Sequence, residues 1–282
     1  MVGFVLCADD FAMTAGISRG IIELLAHGRL TATGVMTNRP HWPRAARDLI
    51  EFDGYADLGV HLNLTCAAPL TRMPVLAPEG RLPGLKKLLA LAIAGRLPTQ
   101  EIAHEFGAQL DGFEQQMGRA PDFIDGHQHV HGLKALQPIF LDVISRRYRV
   151  GRKPYIRVTE DRKLRILRRG TFIAKAFQVR QLTIGFSHAL EQAGFPTNNG
   201  FSGFSSFDPA ADYAAQFASY LKARGKRHLV MCHPGYVDEE LPLIDPVTTA
   251  REKELAFLMS DNFLALCQRM EARPVRMAEV IG

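Results

Sequence analysis

The sequence predicts an α/β fold, with a parallel sheet or barrel and helices outside it, and three observations carry that expectation. Strand-like and helix-like segments alternate from one end of the 282 residues to the other. The strand-like segments are short and apolar, as buried strands are. Asp9 and Asp10, His61, His127 and His233 fall at the C-terminal ends of such segments. In α/β folds those ends converge on one rim, where sites are built.

The elements follow in order along the chain. Val2–Cys7 reads as a buried strand. Thr14 suits an N-cap, and Ile17, Ile21, Leu24 and Leu25 then recur at helical spacing until Gly28 stops the helix. Leu30–Thr37 reads as a second strand, Pro43–Glu51 as a short helix, and Asp57–Leu64 as a third strand carrying His61. Ile102, Phe106, Leu110, Phe113 and Met117 make an apolar stripe and predict an amphipathic helix. Phe123–Asp125 is a strand that runs into a histidine cluster. Leu136–Ile144 is helical, Tyr155–Val158 a strand, Ala210–Ala223 a helix, and His228–Cys232 a strand that ends at His233. Thr248–Arg269 reads as one long final helix. Residues 66–100 and 159–207 are irregular and punctuated by Gly and Pro, and read as insertions or lids over one end of a single domain spanning 1–282.

Composition narrows the function. With 47% hydrophobic and 22% charged residues the chain is an ordinary globular one. The apolar stretch Leu85–Leu97 is interrupted by Lys86, Lys87 and Gly95 and is too short to span a bilayer, so no transmembrane segment is expected. Met1–Cys7 runs straight into Asp9 and Asp10 without a basic and then apolar leader, so a cytoplasmic location is expected. The cysteines at 7, 66, 232 and 267 form no paired motif and are expected to be reduced. The net charge of +5 is concentrated: thirteen Lys or Arg but only Glu160 and Asp161 lie between Arg146 and Arg180. Such a stretch suits an anionic partner or a solvated helix face. Trp42 is the one tryptophan, and no aromatic cluster accompanies the basic residues, so nucleic acid is not the expected partner.

The polar residues at the strand ends carry the chemistry. Adjacent carboxylates such as Asp9 and Asp10 repel unless a positive charge lies beside them; a cation site or a helix N-terminus would each justify the pair. His61 lies among apolar neighbours, where a hydrogen-bonded core histidine is the plain alternative to a ligand. In Asp125-Gly-His127-Gln-His129-Val-His131, an extended chain would set Asp125 and all three histidines along one side. That arrangement suits a metal or catalytic site more than apolar packing. His127, closest to the strand, is the ligand expected of the three, while His129 and His131 shape the cleft or support the ligands. His233 precedes Pro234-Gly235, a turn that would present its imidazole at the rim as a general acid. Arg157 could hold one of the carboxylates ionised or form a structural ion pair.

Together these segments resemble the YdjC/ChbG-like carbohydrate deacetylase family. The resemblance rests on Ala8-Asp-Asp-Phe11, Gly59-Val-His-Leu-Asn-Leu-Thr65, the Asp125–His131 segment and Met231-Cys-His-Pro-Gly235, with Thr197–Gly203 in support. It departs at Cys7 and Ala12, where members often carry Asn and Gly. The resemblance implies a distorted TIM-like (β/α) barrel with a metal site at the C-terminal rim of its strands. It implies one divalent metal ion on Asp10, His61 and His127, Asp9 as general base, and an acetylated amino sugar such as a chitooligosaccharide as substrate. A homodimer is expected at the level of the family. On this reading Arg157 keeps Asp9 ionised, His233 protonates the leaving amine, and Asp125, His129, His131 and Asn63 support the ligands or line the cleft. Two nitrogens and one carboxylate suit zinc; magnesium, which prefers more oxygens, is the other candidate. The same residues would also serve hydrolysis of another amide or an ester, including one on a lipid-linked sugar.

Overall fold

A computed structural model describes residues 1–280. Its eight strands are β1 (Val2–Phe11), β2 (Ala32–Val35), β3 (Asp57–Leu62), β4 (Phe123–Gly126), β5 (Tyr155–Ile156), β6 (Phe201–Ser202), β7 (Leu229–Cys232) and β8 (Ala272–Pro274). They form one sheet in the order β5-β4-β3-β2-β1-β7-β6, every neighbour parallel. β8 pairs with Val2–Phe4, at the start of β1.

The sheet curls into a distorted barrel whose outer strands, β5 and β6, meet at a seam. A single parallel bridge, Ile156 to Thr197, joins β5 to the segment that leads into β6. Beyond it the Asn198 side chain replaces the ladder: its Oδ1 accepts from Val158 N–H at 2.7 Å and its Nδ2 donates to Val158 O at 2.9 Å. This explains why β5 is shorter than the Tyr155–Val158 run the sequence suggests. The backbone of Val158 pairs with an amide side chain, so no strand continues there.

Two apolar layers follow from the period-two alternation of the strands. Phe4, Leu6, Leu58, Val60, Ile124, Ile156 and Val230 face outward into the main core, where the surrounding helices cover them. Val5, Cys7, Phe123, Tyr155, Leu229 and Met231 face into the barrel. Along the chain, the next residues on that inner face are Asp9, Asp125, Arg157 and His233. His61 joins them, since Leu58, Val60 and Leu62 face out. One parity rule thus delivers polar residues from five strands to the same mouth.

Most helices match their sequence signals. Thr14 Oγ1 accepts from Ile17 N–H at 3.3 Å and caps the helix Ala15–Ala26, which buries Ile17, Ile21, Leu24 and Leu25. The apolar stripe predicted from Ile102 forms the inner face of the helix Thr99–Met117. The single final helix over Thr248–Arg269 is a correction: the chain forms two helices, Thr249–Met259 and Asp261–Arg269. Extended backbone at Ser260 separates them, and its hydroxyl caps the second through Phe263 N–H. A serine followed by an aspartate is itself a helix-start signal. The irregular regions contain the helices Leu85–Ile93, Lys163–Arg169, Ile173–Leu182 and Phe186–Gln192, and β6 lies within the second. Among the described residues no helix is long and apolar enough to cross a membrane. The basic stretch is not one surface: Arg147 pairs with Glu114, Arg152 with Asp122, Arg169 with Asp161, and Arg157 lies inside the barrel.

Candidate metal centre

The barrel mouth is floored by charge. Asp9, Asp10, His61, Asp125 and Arg157 are each at most 2% exposed, a degree of burial that charged groups tolerate only when paired. Asp9 arrives by strand parity; Asp10 does not, because the next residue along a strand should face away. Its backbone is left-handed, with φ 69°, and the register of β1 against β2 shifts between Ala8 and Phe11. This bulge turns both carboxylates toward the same space.

Arg157 grips Asp9 with both terminal nitrogens, one of them at 2.9 Å from Oδ2, and reaches Asp125 Oδ2 at 2.9 Å. Asp125 Oδ1 in turn lies 2.6 Å from His61 Nδ1. That contact aims the other nitrogen, His61 Nε2, at Asp10 Oδ1, 3.4 Å away. His127 Nδ1 lies 2.9 Å from the same oxygen. One potential ligand atom from each of Asp10, His61 and His127 falls within 4.8 Å of the other two. His61 Nε2 is buried and has no hydrogen-bond partner. Arg251 holds Asp10 from behind, with Nη2 at 2.8 Å from Oδ2, and also meets Asp245.

These partners fit a cation. Four buried carboxylates, Asp9, Asp10, Asp125 and Asp245, face two buried guanidiniums, Arg157 and Arg251, which leaves an excess of negative charge at the mouth. An unpartnered imidazole nitrogen aimed at that charge is what a metal ligand looks like without its ion. A second cluster, Cys7, Asp9 and Asp125, does not fit one, because the Arg157 guanidinium already touches all three. Gly34 on β2 makes room for His61 and the Asp125 that orients it: a Cβ there would come within 3.1 Å of the His61 Cβ and 3.3 Å of Asp125 Oδ1.

The titration behaviour follows from the same contacts. Burial alone would raise the Asp9 carboxyl, but Arg157, His61 and His233 hold it well below the usual carboxylate range. Asp10 is lowered likewise against its burial, by Arg251 and His127. Burial opposes charge on His61, yet Asp125, Asp9 and Asp10 raise it to about 10. His233 goes the other way: burial pushes it down to about 4, and the nearby carboxylates do not make up the difference.

The remaining sequence expectations sort by position. His233 Nε2 stands 3.9 Å from Asp9 Oδ2 at the edge of the cleft. The expectation that Asp125, His127, His129 and His131 line one side of an extended chain is a correction. The chain turns into a short 3-10 helix at His127–Gly132, with Gln128 and His129 left-handed at φ 52° and 62°. His129 stays at the cleft, packed edge-on to Phe201 and Phe204. His131 is carried behind it, against Phe140 and Phe186, with Nε2 at 2.8 Å from Arg157 O. Asn63 is buried below the rim, where its Oδ1 accepts from Thr65 and Cys66 N–H and ends β3. Sequence reading missed Arg251 and Glu254. Both lie on the inward face of Thr249–Met259 beside Leu255 and Leu258, and charges on an apolar helical face were the available signal. Glu254 Oε2 accepts from His233 N–H at 2.6 Å and Tyr213 O–H at 3.0 Å.

Above the floor is a cleft of about 340 Å³. Leu85 and Leu89 wall it on one side, Val179 and Leu182 on another, and Lys175, Phe204 and Phe207 close it toward His233.

The family model described as YdjC-like protein matches residues 3–269. The chain belongs to that family. A chitooligosaccharide deacetylase of Klebsiella pneumoniae (strain 342) is 32% identical over 241 residues, 84% of this chain and 83% of that protein. One from Yersinia pestis (strain Pestoides F) is 30% identical over 267 residues, 94% of each chain. A solved structure from Enterococcus faecalis V583 superposes with a TM-score of 0.75 at 21% identity, covering 99% of this chain and 98% of that one. The shared fold is that of this barrel. As a YdjC-like protein with deacetylase relatives, the chain is an enzyme of the hydrolytic deacetylase class.

Proposed function

We propose that this YdjC-like protein is a metal-dependent hydrolase that removes the N-acetyl group from an amino sugar and releases acetate. The observation that carries the metal assignment is the buried, unpartnered His61 Nε2, facing an Asp10 oxygen that His127 also contacts. Asp10, His61 and His127 would hold one divalent ion, zinc by the donor set and magnesium as the alternative. Held there, such an ion supplies Lewis acidity to an otherwise unreactive amide.

The chain's own residues do the rest. Asp9, kept ionised by Arg157, accepts a proton from the attacking water. The water oxygen bonds to the acetyl carbon, and the carbon–nitrogen bond breaks. His233 protonates the departing amine. A neutral imidazole must gain a proton before it gives one, and the proton taken by Asp9, 3.9 Å away, is the nearest source. Asp125 orients both His61 and Arg157. The named relatives support an oligomer of N-acetylglucosamine as substrate. The apolar walls at Leu85, Leu89, Val179 and Leu182 favour a second reading, in which the sugar carries an apolar group.

The test is acetate release from N,N′-diacetylchitobiose and from N-acetylglucosamine glycosides with apolar aglycones, using metal-loaded protein with and without chelator. Chelator-sensitive acetate is expected. A protein with stoichiometric metal that frees no acetate from any of them would contradict the reading.

A further inference from the structure

Phe207 lies in none of the sequence motifs, yet in the cleft wall both its backbone and its ring are held. Its backbone is left-handed, at φ 57°. A bulky residue rarely adopts that conformation, and the chain around it must enforce it. Two contacts do so. Phe207 N–H donates to Ser205 Oγ at 3.0 Å, and Lys175 Nζ donates to Ser205 O at 2.9 Å. The same ammonium stands over the Phe207 ring, 5.0 Å from its centroid. The ring is therefore fixed from the backbone below and from the Lys175 side.

What it is fixed against is His233. The two ring centroids are 5.0 Å apart at an interplanar angle of 83°, an edge-to-face contact. His233 needs such a contact. Its Nδ1 is buried with no hydrogen-bond partner, and Glu254 takes only its backbone N–H. A catalytic imidazole is ordinarily oriented by a carboxylate or carbonyl on its second nitrogen. Here no such group is present among the described residues, so the ring's rotation is limited by packing.

We propose that Phe207 is the positioning residue for His233: held in place by its strained backbone and by Lys175, it keeps the imidazole turned with Nε2 toward Asp9 and the leaving nitrogen. This rests on the reading of His233 as proton donor. Phe207 acts through His233 and touches no reacting atom.

The test uses the difference between leaving groups. An amine leaves only when protonated, whereas 4-nitrophenolate leaves unaided. Metal-loaded wild-type, Phe207→Ala, Phe207→Tyr and Lys175→Met proteins are compared on an N-acetyl amino sugar and on 4-nitrophenyl acetate. Phe207→Ala is expected to lower kcat on the amide by about 10- to 100-fold, part of what a general acid contributes, with KM little changed and the ester rate nearly kept. Phe207→Tyr, which keeps the ring, should restore most of the amide activity, and Lys175→Met should lose less than Phe207→Ala with the same preference for the amide. Equal losses on amide and ester, or a loss confined to KM, would overturn the proposal and make Phe207 part of the sugar platform or of the fold. A wild-type protein that cleaves the ester but no amide would instead overturn the reading on which the proposal rests.

Discussion

The floor of the cleft is held by charge pairs inside the barrel, whereas its walls hang on short helices that bury little. On the floor, Arg157 bridges Asp9 and Asp125, Asp125 bridges Arg157 and His61, and Arg251 backs Asp10. Each floor carboxylate shares a buried guanidinium with a second one, Asp9 with Asp125 on Arg157 and Asp10 with Asp245 on Arg251, so a shift in any of them weakens a buried ion pair. In the walls, the helix Leu85–Ile93 buries only Leu88, and Ile173–Leu182 only Ala176. Their remaining apolar residues are partly open to the cleft or to solvent. Rigid chemistry is thus combined with apolar wall positions, Leu85, Leu89, Val179 and Leu182, that can change without disturbing it.

The largest effect should come from breaking the floor's central pair. Arg157→Met removes the guanidinium that Asp9 and Asp125 share and is expected to cost about 3 to 5 kcal/mol of stability in the metal-free protein. Thermal unfolding checks it; a loss no larger than at an exposed arginine such as Arg146 would mean that the floor is not held by charge. Asp125→Asn keeps the shape but weakens the hold on His61. Metal affinity should fall by about 10- to 100-fold, the usual range for a group that orients a ligand, and competitive titration with a chelating dye measures it.

The floor also predicts a pH dependence that the walls do not. In the metal-free protein His61 is raised from 6.5 to about 10. A raised folded-state value gives stability that is fully present below pH 6.5 and is lost as pH rises through about 10. The melting temperature of metal-free protein should therefore fall across that window. Metal on His61 Nε2 displaces that proton, so loaded protein should lack this component of the fall. Parallel slopes for the two forms would contradict the placement of His61. The smallest effect belongs to the wall: Leu89→Ala should cost under about 1 kcal/mol, leave metal affinity unchanged, and raise KM most for substrates with an apolar aglycone.

The same contrast explains what the sequence made legible. Asp9, His61, Asp125, Arg157 and His233 were readable because each follows an apolar strand, and period two sends them to one face. Asp10 reaches the site only through a bulge, and neither Asp10 nor Ala12, both left-handed, is the glycine that would have signalled one. His131 was misplaced for a related reason. The turn at Gln128 and His129 uses left-handed non-glycine residues, so an extended reading of the histidine cluster had nothing in the sequence against it. Arg251 and Glu254 were visible as charges on an apolar helical face. Phe207 and Lys175 were not, since their roles depend on how irregular segments fold over the mouth.

The most direct test of the metal centre is the metal content of purified protein reloaded with zinc, for the wild type and for Asp10→Ala, His61→Ala and Asp9→Asn. The account predicts one equivalent in the wild type, near-complete loss in Asp10→Ala and His61→Ala, and retention in Asp9→Asn, whose carboxylate is assigned to proton transfer. Folded Asp10→Ala and His61→Ala proteins that still bind one equivalent at wild-type affinity would show that the ion, and with it the chemistry, lies elsewhere.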